Sequence, residues 1–255
     1  PREAEALLHV EPAHGADQTV IAETLNFDPP VDWTRLDDAT TGERRVVFRH
    51  QGPLKIAYIA AVDLLPRDNL LTGAEQHPIA ALPVEVLPFL RASRFIESDR
   101  FEPKAEQDFG DTRGGDRVEA IIAWLRSHLD YRSGTSDART TASDAYMTRT
   151  GVCRDYAHLA AALCRASDIP ARLVSAYALD LKPQDFHAVI EVFVGDRWRL
   201  ADPTGLVSPD RLVRIGQGRD AADIPFLTIF GQATMMAQSV NVWADAHVPA
   251  EPAAA

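Results

Sequence analysis

Cysteine is scarce in this chain: two among 255 residues, at positions 153 and 164. If both sit on one helix they are separated by roughly 16 Å along its axis, beyond the about 7 Å between Cα atoms that a disulfide spans. No bridge is expected, which fits a reducing compartment and makes the cytoplasm the expected location. Basic residues are also in deficit. There are 26 Lys and Arg against 37 Asp and Glu, a formal charge of −11, whereas a nucleic-acid partner asks for a basic face. No apolar run approaches the ~20 residues of a membrane helix, and no signal-peptide pattern opens the sequence. Because the first residue is Pro1, a start further upstream stays open. There is no Gly-rich phosphate loop, no Cys/His metal spacing and no internal repeat, so neither cofactor nor metal is expected. What remains is ordinary for a globular protein, with 46% hydrophobic and 25% charged residues. Nothing in this composition speaks to oligomeric state.

The pattern along the chain indicates an α+β protein. Thr19–Phe27, Arg44–His50 and Leu54–Leu65 are β-prone runs separated by turn residues, so residues 1–66 read as a small antiparallel β domain. Residues 67–115 read as a connecting segment with short helices, one near Pro83–Leu90. Asp116 is expected to cap a helix, with Glu119 completing a capping box and Val118, Ile121, Ile122, Leu125 and Leu129 forming its apolar stripe. Tyr131 follows it. Its first reading is a packing tyrosine, its second a hydroxyl donor to an oxyanion. Residues 116–245 are assigned to the core domain, with Met235–Trp243 as its final strand, and 246–255 to a disordered tail.

The chemistry concentrates in residues 151–204. Thr150-Gly151 reads as a turn, and a breaker-free run then extends to Pro170, so a helix opens near Val152 or Cys153 and ends near Ser167-Asp168. A thiol at a helix N-terminus meets unpaired N–H groups and a partial positive charge, which favour the nucleophilic thiolate. The Cys153 N–H is also available to an oxyanion. Asp155 reads as a carboxylate complementing the helix dipole, and Cys164 as a small core residue.

Of the eight histidines, His158 is nearest in sequence to Cys153. On a helix it lies about 140° around and roughly 7.5 Å along, out of reach. His9, His14, His50, His77 and His247 read as surface or packing residues, and His128 as a helix-terminal cation. His187 is different. Phe186–Val194 and Arg197–Asp202 alternate around Gly195-Asp196, a two-residue hairpin turn. That turn pairs Val194 with Arg197, Phe193 with Trp198, Glu191 with Leu200 and Val189 with Asp202. His187 and Asp202 then share a face as diagonal neighbours about 7–8 Å apart at the backbone. Nucleophile, base and orienting carboxylate are the parts of an acyl-transfer site.

These residues resemble the bacterial transglutaminase-like superfamily, whose members include candidate cysteine proteases. The resemblance is carried by Gly151/Cys153/Asp155, Ile169–Arg172, His187-Ala188 and Trp198/Asp202. It extends more weakly to Ser93–Phe101 and Gly218–Phe226. Asp168 stands where a Gly is usual, and Val189 where an aromatic is frequent. The resemblance implies a papain-like core with a central helix against an antiparallel sheet, and Cys153, His187 and Asp202 as nucleophile, base and orienter. The expected activity is acyl transfer on amide bonds of a peptide or protein through a thioester. Hydrolysis as a protease or amidase is the first reading, since water needs no second substrate site. Protein cross-linking or amine transfer is the alternative, and a catalytically silent peptide-binding or scaffold module is the alternative from another class.

Overall fold

The computed structural model describes residues 3–244. The expected disordered tail at 246–255 and His247 lie outside them. Among the described residues, two four-stranded antiparallel sheets and two two-stranded ladders make up the β structure. The first sheet orders β12 (Leu227–Phe230), β1 (Ala4–Leu8), β4 (Arg44–His50) and β3 (Trp33–Asp37). A long antiparallel pair of β2 (Gln18–Asp28) and β5 (Lys55–Leu64) packs on it, so that Phe27 meets Phe48 edge-on at 5.0 Å. The three β-prone runs are strands as expected. The short strands β1 and β3 were not read, and β12 reaches β1 from the far end of the chain.

Four α-helices follow the first five strands: α1 (Glu102–Phe109), α2 (Gly114–His128), α3 (Ala142–Thr148) and α4 (Cys153–Arg165). Between them lie two-residue strands, β6 (Asp130–Tyr131) and β7 (Thr150–Gly151), which pair in parallel. The second sheet orders β10 (Arg197–Ala201), β9 (Phe186–Val194), β8 (Ala171–Ala178) and β11 (Leu212–Gly218). The central helix α4 packs on β8 and β9 and is flanked by α1, α2 and α3. Its Ala157, Ala160, Ala161 and Ala162 are fully buried, and such small side chains let a helix approach its neighbours closely on all sides. No helix among the described residues is long and apolar enough to cross a membrane.

Two expectations need correction. Helix α2 starts at Gly114, with Arg113 at its cap, so Asp116 is not the capping residue. Instead Asp116 accepts from Gly73 N–H at 2.8 Å, and Glu119 accepts from the Thr72 hydroxyl. The two carboxylates recruit a preceding loop rather than closing a capping box. The connecting segment carries short helices, the longest being the eight-residue α1, whose buried residues are Ala105 and Phe109. Met235–Trp243 is not a strand. Its β-prone residues find no ladder, and the last strand is β12.

Two segments clasp the back of α4. The Arg165 guanidinium donates to the carbonyls of Ala171 and Arg91, at 2.9 Å each, and to that of Arg219. Asp220 accepts from Phe95 N–H at 3.1 Å, and the His158 ring stacks on Phe95 at 5.3 Å. The weaker stretches of family resemblance, 93–101 and 218–226, thus meet around α4 as scaffolding.

Gly115 gives a stability test. A Cβ there would fall 1.8 Å from the Leu71 carbonyl oxygen, while its N–H donates to Ala74 O at 2.8 Å. Helix propensity alone favours Ala by about 1 kcal/mol. The backbone collision should override it, and Gly115→Ala is expected to destabilise by about 1–3 kcal/mol. A urea midpoint that stays level or rises contradicts this packing.

Candidate active site

The nucleophile's position begins with the β6–β7 ladder. Tyr131 pairs with Gly151, and Arg132 N–H donates to Gly151 O at 2.9 Å. This ladder delivers the chain to α4 with Val152 extended at its cap (φ −110, ψ −177). Asp155 is buried, and its Oδ2 accepts from Val152 N–H at 2.8 Å. That bond closes the entrance of the helix, so Asp155 does more than complement the dipole. A Cβ on Gly151 would lie 2.6 Å from the Asp155 Cβ, which is why glycine stands there. Cys153 follows as the first residue of α4, half-buried and not in a disulfide. Cys164 is fully buried, and burial pushes its thiol up to about 12. It is a core residue, as expected.

The hairpin forms in the expected register. Arg197 pairs with Val194, Trp198 with Phe193 and Leu200 with Glu191. Gly195 and Asp196 have φ of 59 and 63, the left-handed pair of a type I′ turn. Strand β10 ends at Ala201, so Asp202 lies one residue past the ladder. Its side chain still meets the base: His187 Nε2 is 3.0 Å from Asp202 Oδ2. Both side chains are essentially without solvent exposure.

The Asp202 carboxylate is fully engaged. Oδ2 also accepts from Val207 N–H at 3.0 Å, and Oδ1 accepts from the Thr204 N–H at 2.9 Å and its hydroxyl at 2.7 Å. From α2, Arg126 donates to the Asp202 carbonyl at 2.7 Å and so pins the turn. Burial alone would raise the Asp202 pKa. The His187 bond, the His187 charge and the Thr204 and Val207 donors outweigh it and hold the carboxyl below its usual range.

The opposite balance acts on His187. Burial disfavours the imidazolium, but the Asp202 bond and then the Cys153 thiol favour it more, raising the pKa to about 9. With Nε2 on Asp202, Nδ1 is the ring nitrogen left for the neighbouring Cys153. Nδ1 has no hydrogen-bond partner among the described residues. Cys153, His187 and Asp202 are therefore brought together in the order the sequence spacing suggests.

Tyr131 lies beside them, and its ring also packs on Tyr156 at 5.9 Å. Its phenol lies against both the backbone N–H and the sulfur of Cys153. Burial, then the adjacent sulfur, push the phenol up, which keeps its O–H a donor at neutral pH. Sequence reasoning missed Arg126, Thr204 and Val207. The Asp-Pro-Thr turn was a legible signal for Thr204, whereas nothing near Arg126 pointed to a carbonyl on a distant strand. His158 is not part of the site. It accepts from Ala221 N–H at 3.2 Å, and burial drives its pKa down to about 3. Among the described residues no cluster of three or more His, Cys, Asp or Glu is placed to hold a metal.

Comparison with known proteins adds the family. The transglutaminase-like superfamily matches residues 104–203, the stretch holding all three site residues. A crystal structure of a candidate cysteine protease from Cytophaga hutchinsonii superposes with a TM-score of 0.83 at 32% identity, over 95% of this chain and 89% of that one. An uncharacterized protein of Mycobacterium leprae is 35% identical over 119 residues, 42% of this chain and 41% of the relative. One from Mycobacterium tuberculosis is 36% identical over 120 residues, 41% of this chain and 38% of the relative. The match thus spans less than half the length of these curated relatives. Near-complete mutual coverage by the Cytophaga structure, and a family match lying across the Cys, His and Asp segment, establish that this chain belongs to the transglutaminase-like superfamily.

Proposed function

We propose that the protein is a cysteine hydrolase of peptide or protein amide bonds, with Cys153 as nucleophile, His187 as acid and base, and Asp202 as orienter. One observation carries the reading: a buried His187 is bound to Asp202 through one ring nitrogen, has the other free, and feels the Cys153 thiol beside it. In the first step Sγ attacks the amide carbonyl, forming a C–S bond. The Cys153 N–H and the Tyr131 hydroxyl, which lie against each other, are the donors we assign to the developing oxyanion. His187 then gives its proton to the leaving nitrogen as the C–N bond breaks. A water, deprotonated by His187, cleaves the thioester and releases the acid. Amine transfer would share the first half and differ only in which nucleophile resolves the thioester. Two thiols outside any disulfide suit a reducing compartment, and the cytoplasm is our proposed location.

Substitution tests the assignment of roles. Cys153→Ala should lower turnover of an amide substrate by roughly 10³-fold or more with the fold intact. Cys164→Ala should keep the chemistry and lose some stability, through the small cavity it leaves. Full turnover in Cys153→Ala, measured beside its circular dichroism, refutes the nucleophile. Tyr131→Phe should cost about 10²-fold in kcat with KM little changed. A rate equal to that of the parent removes Tyr131 from the oxyanion site. Selective modification of Cys153 over Cys164 by iodoacetamide separates an enzyme from a silent binding module.

A pH profile follows from the His187 balance. The folded ring keeps its proton to about pH 9, against 6.5 in an unpaired state. The leaving nitrogen needs that proton, so kcat/KM should hold through neutrality and fall as pH passes about 9. The stabilisation of the fold by this charge is complete below about 6.5 and is lost over the same alkaline limb. Asp202→Asn removes the main support of the imidazolium, so the limb should move down in pH and the rate should drop. An unmoved limb rules out His187 as the group responsible.

A further inference from the structure

Past β12 the chain runs from 231 to 244 without regular secondary structure and mostly exposed, Val240 and Val242 being half-buried. This segment is fastened to the loop that enters β9. The Gln184 amide donates from Nε2 to the Val242 carbonyl at 2.5 Å and accepts at Oε1 from the Val242 N–H at 3.0 Å. Asp185 Oδ1 accepts from Gln238 Nε2 at 2.9 Å, and is itself held by the Phe186 N–H at 2.8 Å.

A glutamine amide carries donors and an acceptor on one flat group. Here it pairs in both directions with the main chain of a single residue, as a neighbouring strand does in an antiparallel ladder. Such pairing reads backbone and not side chain, so any extended peptide can satisfy it unless proline stands at that position. Asp185 adds a preference for a side-chain donor, an amide or ammonium, at the position that Gln238 holds. The clamp lies immediately before Phe186 and His187. At about 3.4 Å per strand residue, the Gln184 backbone is within roughly 10 Å of that of His187. All three bonds are exposed and compete with water, so the occupant can be exchanged.

We propose that Gln184 and Asp185 form a docking site for the main chain of an extended polypeptide acyl donor, and that residues 238–242 are its internal occupant, displaced when substrate binds. The identity of the incoming peptide as substrate rests on the acyl-transfer reading; the docking itself does not.

The test uses the full chain carrying Val242→Pro, which removes the N–H that Gln184 accepts and releases the segment. A synthetic peptide with the sequence of residues 236–244 is titrated into this variant. The expected result is saturable shifts of the Asp185 and Phe186 amide signals, abolished when Gln184→Ala is added. Absence of shifts overturns the docking site. In parallel, Cys153 is labelled with an extended peptidyl chloromethyl ketone and with iodoacetamide. Val242→Pro should accelerate the peptidyl reagent about tenfold, the order expected when a tethered competitor of high effective concentration is released. The iodoacetamide rate should stay level. The Gln184→Ala and Val242→Pro double variant should lose the gain. An unchanged peptidyl rate, or a gain that survives in the double variant, overturns the substrate role of the clamp. Failure of iodoacetamide to select Cys153 refutes the acyl-transfer reading instead, and the titration alone then decides the docking.

Discussion

Burying the carboxylate of Asp202 is the constraint around which this molecule is arranged. A carboxylate removed from water must recover its hydrogen bonds from the protein, and losing one partner of a buried ion pair costs about 3–5 kcal/mol. Here the donors come from separate places: His187 on β9, Thr204 in the following turn and Val207 beyond it. The turn that carries them is pinned from α2 by Arg126. The carboxylate and carbonyl of Asp202 together therefore tie β9, the turn after β10 and α2 to one another. The same set of bonds orients the imidazole, so the geometry needed for chemistry is a by-product of making the carboxylate tolerable.

The second demand is to bring a helix start to that imidazole. Helix α4 must be nearly smooth to sit among β8, β9 and three other helices, and its alanines make it so. A smooth helix has little to stop it sliding along its axis. The buried Arg165 supplies a stop at one end, through carbonyls on three different segments. At the other end Asp155 and the β6–β7 ladder hold the entry. Cys153 is thus located from both ends of its helix, and Tyr131 arrives beside it through the same ladder.

Much of this was legible in the sequence, for identifiable reasons. The two-residue turn at Gly195-Asp196 fixes register, and register fixes which side chains share a face, so the meeting of His187 and Asp202 follows from local pattern. The thiol's place at a helix start follows from Gly151 and the run without breakers. What was not legible depends on distant partners. The pairing of β1 with β12 joins opposite ends of the described chain. Met235–Trp243 has the composition of a strand, but composition carries no information about whether a ladder partner exists. Helix α1 escaped notice because it buries little and so shows no apolar stripe. Asp116 and Glu119 have the spacing of a capping signal, but here they are spent on the loop of Thr72 and Gly73.

Register also explains the charges buried on β9. Glu191 shares the face of His187, two pairs along the strand, since side chains alternate. It accepts from Arg172 of β8 at 2.7 Å and from Arg214 of β11 at 3.0 Å. Arg214 also binds Asp17, next to β2, and the Arg172 guanidinium lies 4.0 Å over the ring of Trp198 on β10. Buried ion pairs are a weak source of net stability compared with apolar packing. They are, however, intolerant of slippage. Moving β9 by one residue would turn Glu191 to the apolar face that packs on α4, leaving two arginines without their anion. It would also carry His187 away from Asp202. The network thus penalises the same error that would disassemble the site, and it does so through four strands and the N-terminal segment. Asp17, ahead of β2, therefore helps through Arg214 to hold the register of β9 that carries His187.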